Sequence, residues 1–378
     1  MYEDEEGFRY PLVNSETCNN CGACENVCQY IVPAKKKTEV QHAFGGHIKN
    51  KETLNESTSG GAFSAIVEIW CDENYVIFGA ETEGLKVWHS YIEDKKELNK
   101  FRRSKYSQSI IGNSFIEVRR FLKEGKKVVF SGTPCQIAGL KSFLNDKEYK
   151  GQLLTIEVVC EGVPTPFYIR KMNESYVNSG KGEIAHLDYR YKDTDKWDFE
   201  VMKVKTLLSR AKNPVFKTFK YDRWFNPFWS IWLQHLMSRP SCYTCLYTTR
   251  DRVADITLGD LWGVHIYCPD LYNSNKGASL IVTNTEMGYK IVNQALSHNF
   301  SGRELPFDQA LKYQGPMRKS ISMNPLRESF MNDLKVMDYH MICKKWAVKP
   351  SFKLLISKYI YKTNRQVVWW WNLKKSLK

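Results

Sequence analysis

The chain has 378 residues, of which 43% are hydrophobic and 25% are charged. This composition is ordinary for a globular protein and excludes collagen-like and disordered chains. The formal net charge is +14, but residues 344–378 alone hold ten Lys or Arg residues and no acidic residue. The rest of the chain is only mildly basic, so we expect no nucleic acid as a partner.

The first residues predict a cytoplasmic location. The start, MYEDEEGFRYPLVNSE, is acidic and lacks the positive region and apolar core of a secretory signal. No later run reaches the roughly 18 apolar residues of a membrane-spanning helix. In the cytoplasm the 11 cysteines would stay reduced, which favours metal or redox sites over disulfides.

Residues 1–33 have little apolar periodicity and predict a compact, loop-rich module. Four cysteines with the spacing C-x2-C-x2-C-x3-C lie in this module, namely Cys18, Cys21, Cys24 and Cys28. This is the spacing of bacterial ferredoxin clusters and predicts a 4Fe-4S site, with zinc or incidental cysteines as the alternative. Gln29 stands where a proline usually follows the run. In two-cluster ferredoxins the fourth cysteine ligates the other cluster, so Cys28 could serve either site.

Residues 34–51 are interpreted as a linker, after which the pattern becomes α/β. STSGGAFSAIVEIWCDE predicts a glycine-led helix, and YVIFGAE and KVWHSYIE predict strands. Ser59, Gly60 and Gly61 begin that helix, where free backbone N–H groups could hold a phosphate. A simple N-cap and turn is the alternative.

Two buried strands follow, with helices predicted near residues 112–124 and 134–145. KKVVFSGTPCQIAGL predicts a strand, a tight turn and a helix opened by Pro134. LLTIEVVCEGVP predicts a second buried strand. Cys135 and Cys160 lie just beyond the carboxyl ends of these strands, where open α/β sheets place ligands and redox groups.

From 185 to 219, polar and apolar residues alternate, which predicts a segment of antiparallel strands. YDRWFNPFWSIWLQHLM predicts a buried helix. Cys242 and Cys245 then form a lone C-x2-C pair, which could bind metal, form a redox pair or arise by chance. DITLGDLWG and ASLIVTNT predict strands, and two or three helices precede the basic end. With Cys135 and Cys160, the pair brings the candidate thiolates to eight, the number that two 4Fe-4S clusters need. We expect ordinary buried or half-buried thiols at Cys71, Cys268 and Cys343.

Several segments resemble the signature blocks of coenzyme F420 hydrogenase/dehydrogenase beta subunits. GTPCQIAGL, VVCEGVPTP, RPSCYTC, ADITLGDLWG and NKGASLIVTNTEMG occur in the family's order, and residues 57–64 and 105–107 look like two further blocks. The resemblance covers roughly residues 10–300 and implies FAD and iron-sulfur clusters, with coenzyme F420 as a candidate. Members without the ferredoxin-like module keep four cysteines, which implies that the second cluster is held by Cys135, Cys160, Cys242 and Cys245. Glu161 occupies a place where many relatives have histidine.

The resemblance also implies a flavin site, although no G-x-G-x-x-G motif follows a predicted strand. Lys105 could supply charge to a flavin phosphate or ring carbonyl, and Tyr106 could stack or donate a hydrogen bond; Ser107 completes this block. Gly132 and Thr133 lie at a strand end beside a candidate cysteine, which would bring a flavin edge near a cluster. The alternative is that these residues only shape the fold.

Other polar residues are expected to be structural. Asp255 and Asp260 would hydrogen-bond turns and Trp262 would pack, while His89 and the other histidines show no ligand spacing. The basic tail mixes lysines with Trp369, Trp370 and Trp371, a composition that suits an anionic membrane surface at the inner face. A solvated helix docked by its aromatic residues is the alternative.

The sequence therefore predicts an α/β (α+β) protein with a ferredoxin-like module at 1–33, a mixed-sheet flavin and iron-sulfur domain at 52–300, and a helical basic extension at 301–378. We expect an oxidoreductase that relays electrons between a ferredoxin-like or deazaflavin partner and a small organic substrate, with polysaccharide biosynthesis as a setting. One alternative is a non-catalytic electron-transfer subunit of a larger redox complex. Another is a zinc protein that binds nucleic acid through its basic tail.

Overall fold

The computed structural model describes residues 1–33, 41–144, 149, 151–194, 197, 200–209, 211, 213–222, 226–352 and 355–356. The strands, in chain order, are β1 (Tyr2–Glu3), β2 (Arg9–Tyr10), β3 (His42–Ile48), β4 (Tyr75–Glu83), β5 (Lys86–Ile92), β6 (Lys127–Gly132), β7 (Leu153–Val158), β8 (Glu183–Tyr191), β9 (Val201–Ser209), β10 (Val215–Asp222), β11 (Ile256–Asp260), β12 (Ser279–Thr283) and β13 (Phe300–Leu305). The helices are α1 (Ala23–Asn26), α2 (Lys51–Glu56), α3 (Ala62–Trp70), α4 (Ser114–Lys123), α5 (Pro134–Leu144), α6 (Pro166–Asn178), α7 (Pro227–Trp232), α8 (Val264–Tyr267), α9 (Pro269–Ser274), α10 (Glu286–His298), α11 (Phe307–Leu311), α12 (Arg327–Val336) and α13 (Tyr339–Trp346).

Eight strands of the described chain form one mixed sheet in the order β13-β3-β12-β11-β7-β6-β4-β5. Its middle strands β11, β7, β6 and β4 are parallel, and the pairs at both ends are antiparallel. Side chains of β6 alternate between two cores: Val128 and Phe130 pack with α4 and α5, and Val129 packs with α3 and α10. Because both faces are covered, the middle strands are continuous apolar runs, and the predicted mixed α/β class is confirmed.

A smaller antiparallel sheet, β10-β9-β8, follows the parallel strands, as the alternating pattern predicted. It packs against the helices that surround it, through Met172 of α6, Trp229 of α7, Phe330 of α12 and Ile342 of α13. This second core brings the C-terminal helices beside the middle of the chain. None of the helices in the described ranges is long and apolar enough to span a membrane.

The interpretation of residues 34–51 as a linker is wrong for the part that the structure describes. Residues 42–48 form β3, which lies between β12 and β13 in the large sheet. Its sequence, HAFGGHI, lacks the β-branched run of a buried strand because the backbones approach closely here. A Cβ atom on Gly46 would lie 2.3 Å from the carbonyl oxygen of Ser301. Glycines replace apolar side chains at this point, which allows the backbone of β13 to lie close to that of β3.

Two other boundaries differ from prediction. β13 starts at Phe300, so the predicted start of the C-terminal extension at residue 301 falls inside a strand of the sheet. Within the described part of the aromatic segment, 226–237, the helix α7 begins at Pro227, because the Asn226 side chain accepts from the Phe228 N–H and Pro227 occupies the first turn. The aromatic side chains of α7 are nevertheless buried, as predicted. Trp369–Trp371 and the rest of 357–378 lie outside the described residues.

Residues 1–11, here called the N-terminal strap, run across the body of the protein. The carboxylate of Glu3 pairs with Arg170 at 2.5 and 2.8 Å, and that of Glu6 pairs with Arg327 at 2.9 and 2.5 Å. The Thr165 hydroxyl donates to the carbonyl of Glu6 at 2.5 Å. The acidic start of the chain is therefore the counter-charge of basic residues in α6 and α12.

Candidate cofactor site

The sheet brings Cys135 and Cys160 to one edge. β6 and β7 are parallel neighbours, with Val128 opposite Leu153, so their carboxyl ends lie side by side. Cys135 is in the first turn of α5, directly after β6, and Cys160 follows β7 by two residues. The predicted position of these two thiols at strand ends is confirmed.

Backbone pairing brings the C-x2-C segment to the same place. The Thr165 N–H donates to the carbonyl of Met237 at 2.8 Å, and the Arg239 N–H donates to the carbonyl of Val163 at 2.9 Å. The loop after β7 thus pairs with the segment that leads into Cys242. Regular backbone hydrogen bonds of this kind hold a loop in place without any help from side chains.

Gly162 makes this approach possible. Its φ of +94° lies in the left-handed region, and a Cβ atom added there would lie 3.2 Å from the Cβ of Cys242. A larger residue would be strained in its backbone and would crowd the cysteine. The sequence reasoning did not single out Gly162, because its importance depends on a contact with a residue 80 positions away.

The four core thiols share one electrostatic neighbourhood. Burial raises the pKa of Cys160, and Cys242, Cys135 and Cys245 raise it further. Burial raises the pKa of Cys242 to about 11, against a backbone hydrogen bond that lowers it, and Cys135 and Cys245 add to the rise. The free thiols of Cys160 and Cys242 are therefore protonated at neutral pH, and a bound metal would displace their protons.

The donor set of the four core cysteines suits an iron-sulfur cluster. Across the described ranges, no three side chains of His, Cys, Asp or Glu come close enough together to hold one metal ion. In a cluster each thiolate binds a different iron, so the sulfurs stand farther apart than the ligands of one ion. Four convergent sulfur donors, with no nitrogen or oxygen ligand among them, match that chemistry.

The cysteines of the N-terminal run are more exposed to solvent than the four core cysteines. Cys18, Cys21 and Cys24 are exposed, and Cys28 is half-buried. The residue that replaces the usual proline, Gln29, joins this module to the core domain: its carbonyl accepts from the Tyr247 hydroxyl at 2.7 Å. The side-chain oxygen of Gln29 also lies where a Cβ on Gly139 of α5 would meet it, at 3.3 Å. These contacts bring Cys28 beside the segment that carries the core cysteines.

A cavity of about 2370 Å³ opens beside these cysteines. This exceeds the roughly 300–1,000 Å³ of a pocket for one small molecule. Most of the predicted cofactor residues lie in its wall, together with five of the eight candidate ligands: Ser59, Gly61, Lys105, Tyr106, Ser107, Gly132, Thr133, Cys28, Cys135, Cys160, Cys242 and Cys245. The structure therefore gathers residues from six separate segments around one space.

Two of the polar groups predicted to hold a phosphate are bonded within the protein. The Gly60 N–H, expected to be free, donates to the Ser279 hydroxyl at 3.0 Å, and the Ser59 hydroxyl donates to the Ala278 carbonyl at 2.6 Å. Gly61, with φ 74°, instead starts α3, whose first residues line the cavity. The Arg102 guanidinium, also in the wall, donates to the hydroxyl of Ser64 in that first turn at 3.2 Å.

Lys105 and Tyr106 are both held by the protein. The Lys105 ammonium donates to the carbonyls of Arg102 at 2.8 Å and Lys100 at 3.2 Å, and burial lowers its pKa to about 7. The Tyr106 ring packs edge-on against Trp229 and Trp232, with ring centres 4.7 and 5.1 Å away. The two tryptophans also line the cavity, which the prediction of a buried aromatic helix did not include.

A chain of side-chain hydrogen bonds runs along the wall to the loop of Cys135. His89, to which the sequence assigned no role, contacts the carbonyl of Ser131 and the hydroxyl of Ser109, each at 2.9 Å. The Gln136 amide donates to Ser109 at 2.8 Å and accepts from the Thr133 N–H at 2.9 Å. Burial lowers the pKa of His89 to about 4, so its ring is neutral at pH 7. Sequence spacing gives no signal for partners so far apart in the chain.

The polar and aromatic residues that follow the C-x2-C pair differ in their contacts. Trp262 stacks on Trp197 with ring centres 5.8 Å apart, as expected, whereas Asp255 accepts from the N–H of Thr155 at 2.8 Å, in strand β7 and not in a turn. Asp260 pairs with Arg190 at 2.5 Å, and both line the cavity. Cys71 and Cys268 are buried and Cys343 is half-buried, as expected.

Comparison with known proteins agrees with these features. Residues 125–301, which contain all four core cysteines, match the family model that describes the C terminus of the coenzyme F420 hydrogenase/dehydrogenase beta subunit. A chain of the F420-reducing [NiFe] hydrogenase complex from Methanosarcina barkeri is 17% identical over 80% of this chain and 89% of that chain, with a TM-score of 0.45. No curated protein matches the sequence. The likeness to the coenzyme F420 hydrogenase/dehydrogenase beta subunit thus covers residues 125–301, a little under half of the chain.

Proposed function

We propose that the protein is an iron-sulfur flavoprotein oxidoreductase that exchanges electrons between a ferredoxin-like or deazaflavin partner and a small organic substrate. The observation that carries this proposal is the convergence of four cysteines on the wall of a cavity with room for more than one ligand. When bound, the clusters would supply one-electron transfer and FAD would couple it to two-electron chemistry.

Two groups of cysteines would hold the clusters. Cys18, Cys21 and Cys24 are exposed, which suits the exchange of electrons with a partner protein. The core group is half-buried, which suits a site next to the flavin. Cys28 lies at the junction of the two groups, because Gln29 is bonded to the core domain.

The first turn of α3 would hold the flavin phosphates. Its backbone N–H groups form the positive end of a helix dipole, and Arg102, which also pairs with Glu56, places a guanidinium at the same turn. Lys105 and Tyr106 would orient the rest of the cofactor from the next part of the wall. Gly132 and Thr133 would approach it at the end of β6.

The size of the cavity favours a catalytic protein over a purely electron-carrying subunit, because a carrier needs no space for a substrate. Exposed apolar side chains near the N-terminal cysteines, Leu12, Val13, Ile31 and Val32, support a partner protein at that face.

For the basic tail we propose contact with an anionic membrane surface. Such contact would bring the enzyme to lipid-linked substrates of polysaccharide assembly.

Analysis of iron, sulfide and flavin in protein purified without oxygen tests the proposal. We expect about eight iron and eight sulfide, with one FAD per chain. The Cys245→Ser variant should lose about half of the iron, while Cys343→Ser, which changes a half-buried thiol outside the proposed site, should retain all of it. Zinc in place of iron, or iron without flavin, would contradict the proposal.

A further inference from the structure

The hydroxyl of Thr133 lies 3.2 Å from the Sγ atom of Cys135. We propose that Thr133 sets the reduction potential of the core iron-sulfur cluster by donating a hydrogen bond to the Cys135 thiolate. This inference rests on the proposed function, because it concerns a cluster held by the core cysteines. It assigns a specific electronic role to one side chain in the cavity wall.

The direction of this hydrogen bond follows from the chemistry of the ligand. A free thiol could donate or accept, but a cysteine that ligates iron is a thiolate and can only accept. The Thr133 hydroxyl must then be the donor. Hydrogen bonds to cluster sulfurs are one of the factors that set reduction potentials, because they withdraw negative charge and favour the more negative, reduced cluster.

The chain of hydrogen bonds that ends at Thr133 runs in one direction only. The Ser131 carbonyl can only accept, so Nε2 of His89 donates to it. In a neutral ring Nδ1 is then the acceptor, so the Ser109 hydroxyl donates to His89. The same hydroxyl accepts from the Gln136 amide.

The orientation of Gln136 is fixed by this chain. Since its nitrogen donates to Ser109, its oxygen faces Thr133 and accepts the Thr133 N–H at 2.9 Å. The backbone of Thr133 is thereby held against the turn that leads to Cys135. His89, Ser109 and Gln136 are positioning residues, which keep the threonine hydroxyl within reach of the sulfur.

Redox titration of the anaerobic holoprotein, followed by electron paramagnetic resonance, tests the inference. In this titration the core cluster takes up one electron from added dithionite and no proton. Thr133→Val removes the hydroxyl at nearly constant volume, so the potential of the core cluster should become more negative. Thr133→Ser keeps the hydroxyl and should keep the potential. The N-terminal cluster should not shift in either variant and is an internal control.

Thr248→Val is a matched control in the same wall. The Thr248 hydroxyl donates to the backbone carbonyl of Cys245 at 3.0 Å and not to a sulfur, so its loss should leave the potential unchanged. If Thr133→Val impairs cluster assembly, Thr133→Ala removes the same hydroxyl with a smaller side chain. An unchanged potential in a Thr133 variant with full iron content overturns the inference. A wild-type protein without a core cluster overturns the proposed function instead.

Discussion

Lys105 brings a titratable amine into the cavity wall. Burial is the main cause that lowers its pKa to about 7, and Arg103 lowers it further, while Asp188 and Glu81 act in the opposite direction. The amine is therefore charged below about pH 7 and increasingly neutral above it. A cofactor that carries negative charge would favour the protonated amine.

We expect flavin affinity to fall as the pH rises from 6 to 9, by up to about tenfold per pH unit, the limit for one linked proton. Fluorescence titration of the apoprotein with FAD measures this slope. Lys105→Met should remove most of it, whereas Lys86→Met, another lysine of the cavity wall, should not. An equal slope in the wild type and Lys105→Met would show that Lys105 does not face the cofactor's charge.

A buried ion pair ties the segment after Cys245 to the sheet. Arg252 pairs with Glu157 of β7, and both side chains are almost fully buried. Arg252 also donates to the carbonyls of Tyr247 at 2.8 Å and Thr249 at 2.9 Å. The loop that carries the C-x2-C pair thus has a side-chain anchor in addition to its backbone pairing.

Arg252→Met leaves the Glu157 carboxylate buried and uncompensated, so we expect a loss of about 3–5 kcal/mol in the free energy of unfolding. Urea denaturation of the apoprotein measures it. Arg250→Met breaks an exposed pair with Asp308 and should cost no more than about 1 kcal/mol. Adding Glu157→Met to Arg252→Met should restore much of the loss, and comparable losses at Arg252 and Arg250 would argue against the anchor.

The N-terminal strap is held by three ion pairs, of which Glu6–Arg327 is the most shielded and Glu3–Arg170 and Glu5–Lys335 are more exposed. The side chains of Glu6 and Arg327 are 22% and 10% exposed, whereas the side chain of Glu5, which pairs with Lys335, is 90% exposed. A bidentate, partly buried ion pair contributes more to stability than an exposed one. Glu6→Gln should therefore loosen the strap, while Glu5→Gln should not.

Amide hydrogen exchange detects this loosening directly. Loss of a charged hydrogen-bonded pair worth about 1.5–3 kcal/mol should speed exchange in residues 4–9 by roughly tenfold or more. Exchange in β6 and β7 is the internal reference and should not change. Equal exchange in Glu6→Gln and Glu5→Gln would mean that Arg327 does not hold the strap.

The elements that the sequence predicted best are those that obey local rules. β6 and β7 are continuous apolar runs covered on both faces, and α5 begins at Pro134. β3 escaped prediction because Gly46 serves a close approach of another strand, which leaves no local signal. The same reason applies at the site. The candidate cysteines could be predicted from their spacing and from the family resemblance. The contacts of His89 with Ser109 and of Arg190 with Asp260 could not, because these residues lie far apart in the sequence.

At the scale of the whole molecule, the two groups of cysteines differ in how far apart their members lie in the sequence. The proposed N-terminal ligands lie between residues 18 and 28, whereas the proposed core ligands lie at 135, 160, 242 and 245. A cluster in the core would close long loops and join the two halves of the matched domain. Closing longer loops removes more conformational entropy from the unfolded chain, so metal binding there stabilises more.

We therefore expect Cys245→Ser to lower the unfolding temperature of the iron-loaded protein by more than Cys21→Ser does. Differential scanning calorimetry without oxygen measures both. The apoproteins of the two variants should unfold at nearly equal temperatures, which separates the effect of the cluster from that of the substitution. A larger effect at Cys21 would place the main stabilising cluster in the N-terminal module.

The ion pairs of the strap also set an order of events during synthesis. Thr165 and Arg170 can hold the strap once the first half of the chain has emerged, but Arg327 and Lys335 lie more than 320 residues after their partners. At about 5–20 residues per second, the ribosome needs on the order of ten seconds or more between the first and the last of these contacts. During that interval the N-terminal cysteines are attached by only part of their final contacts.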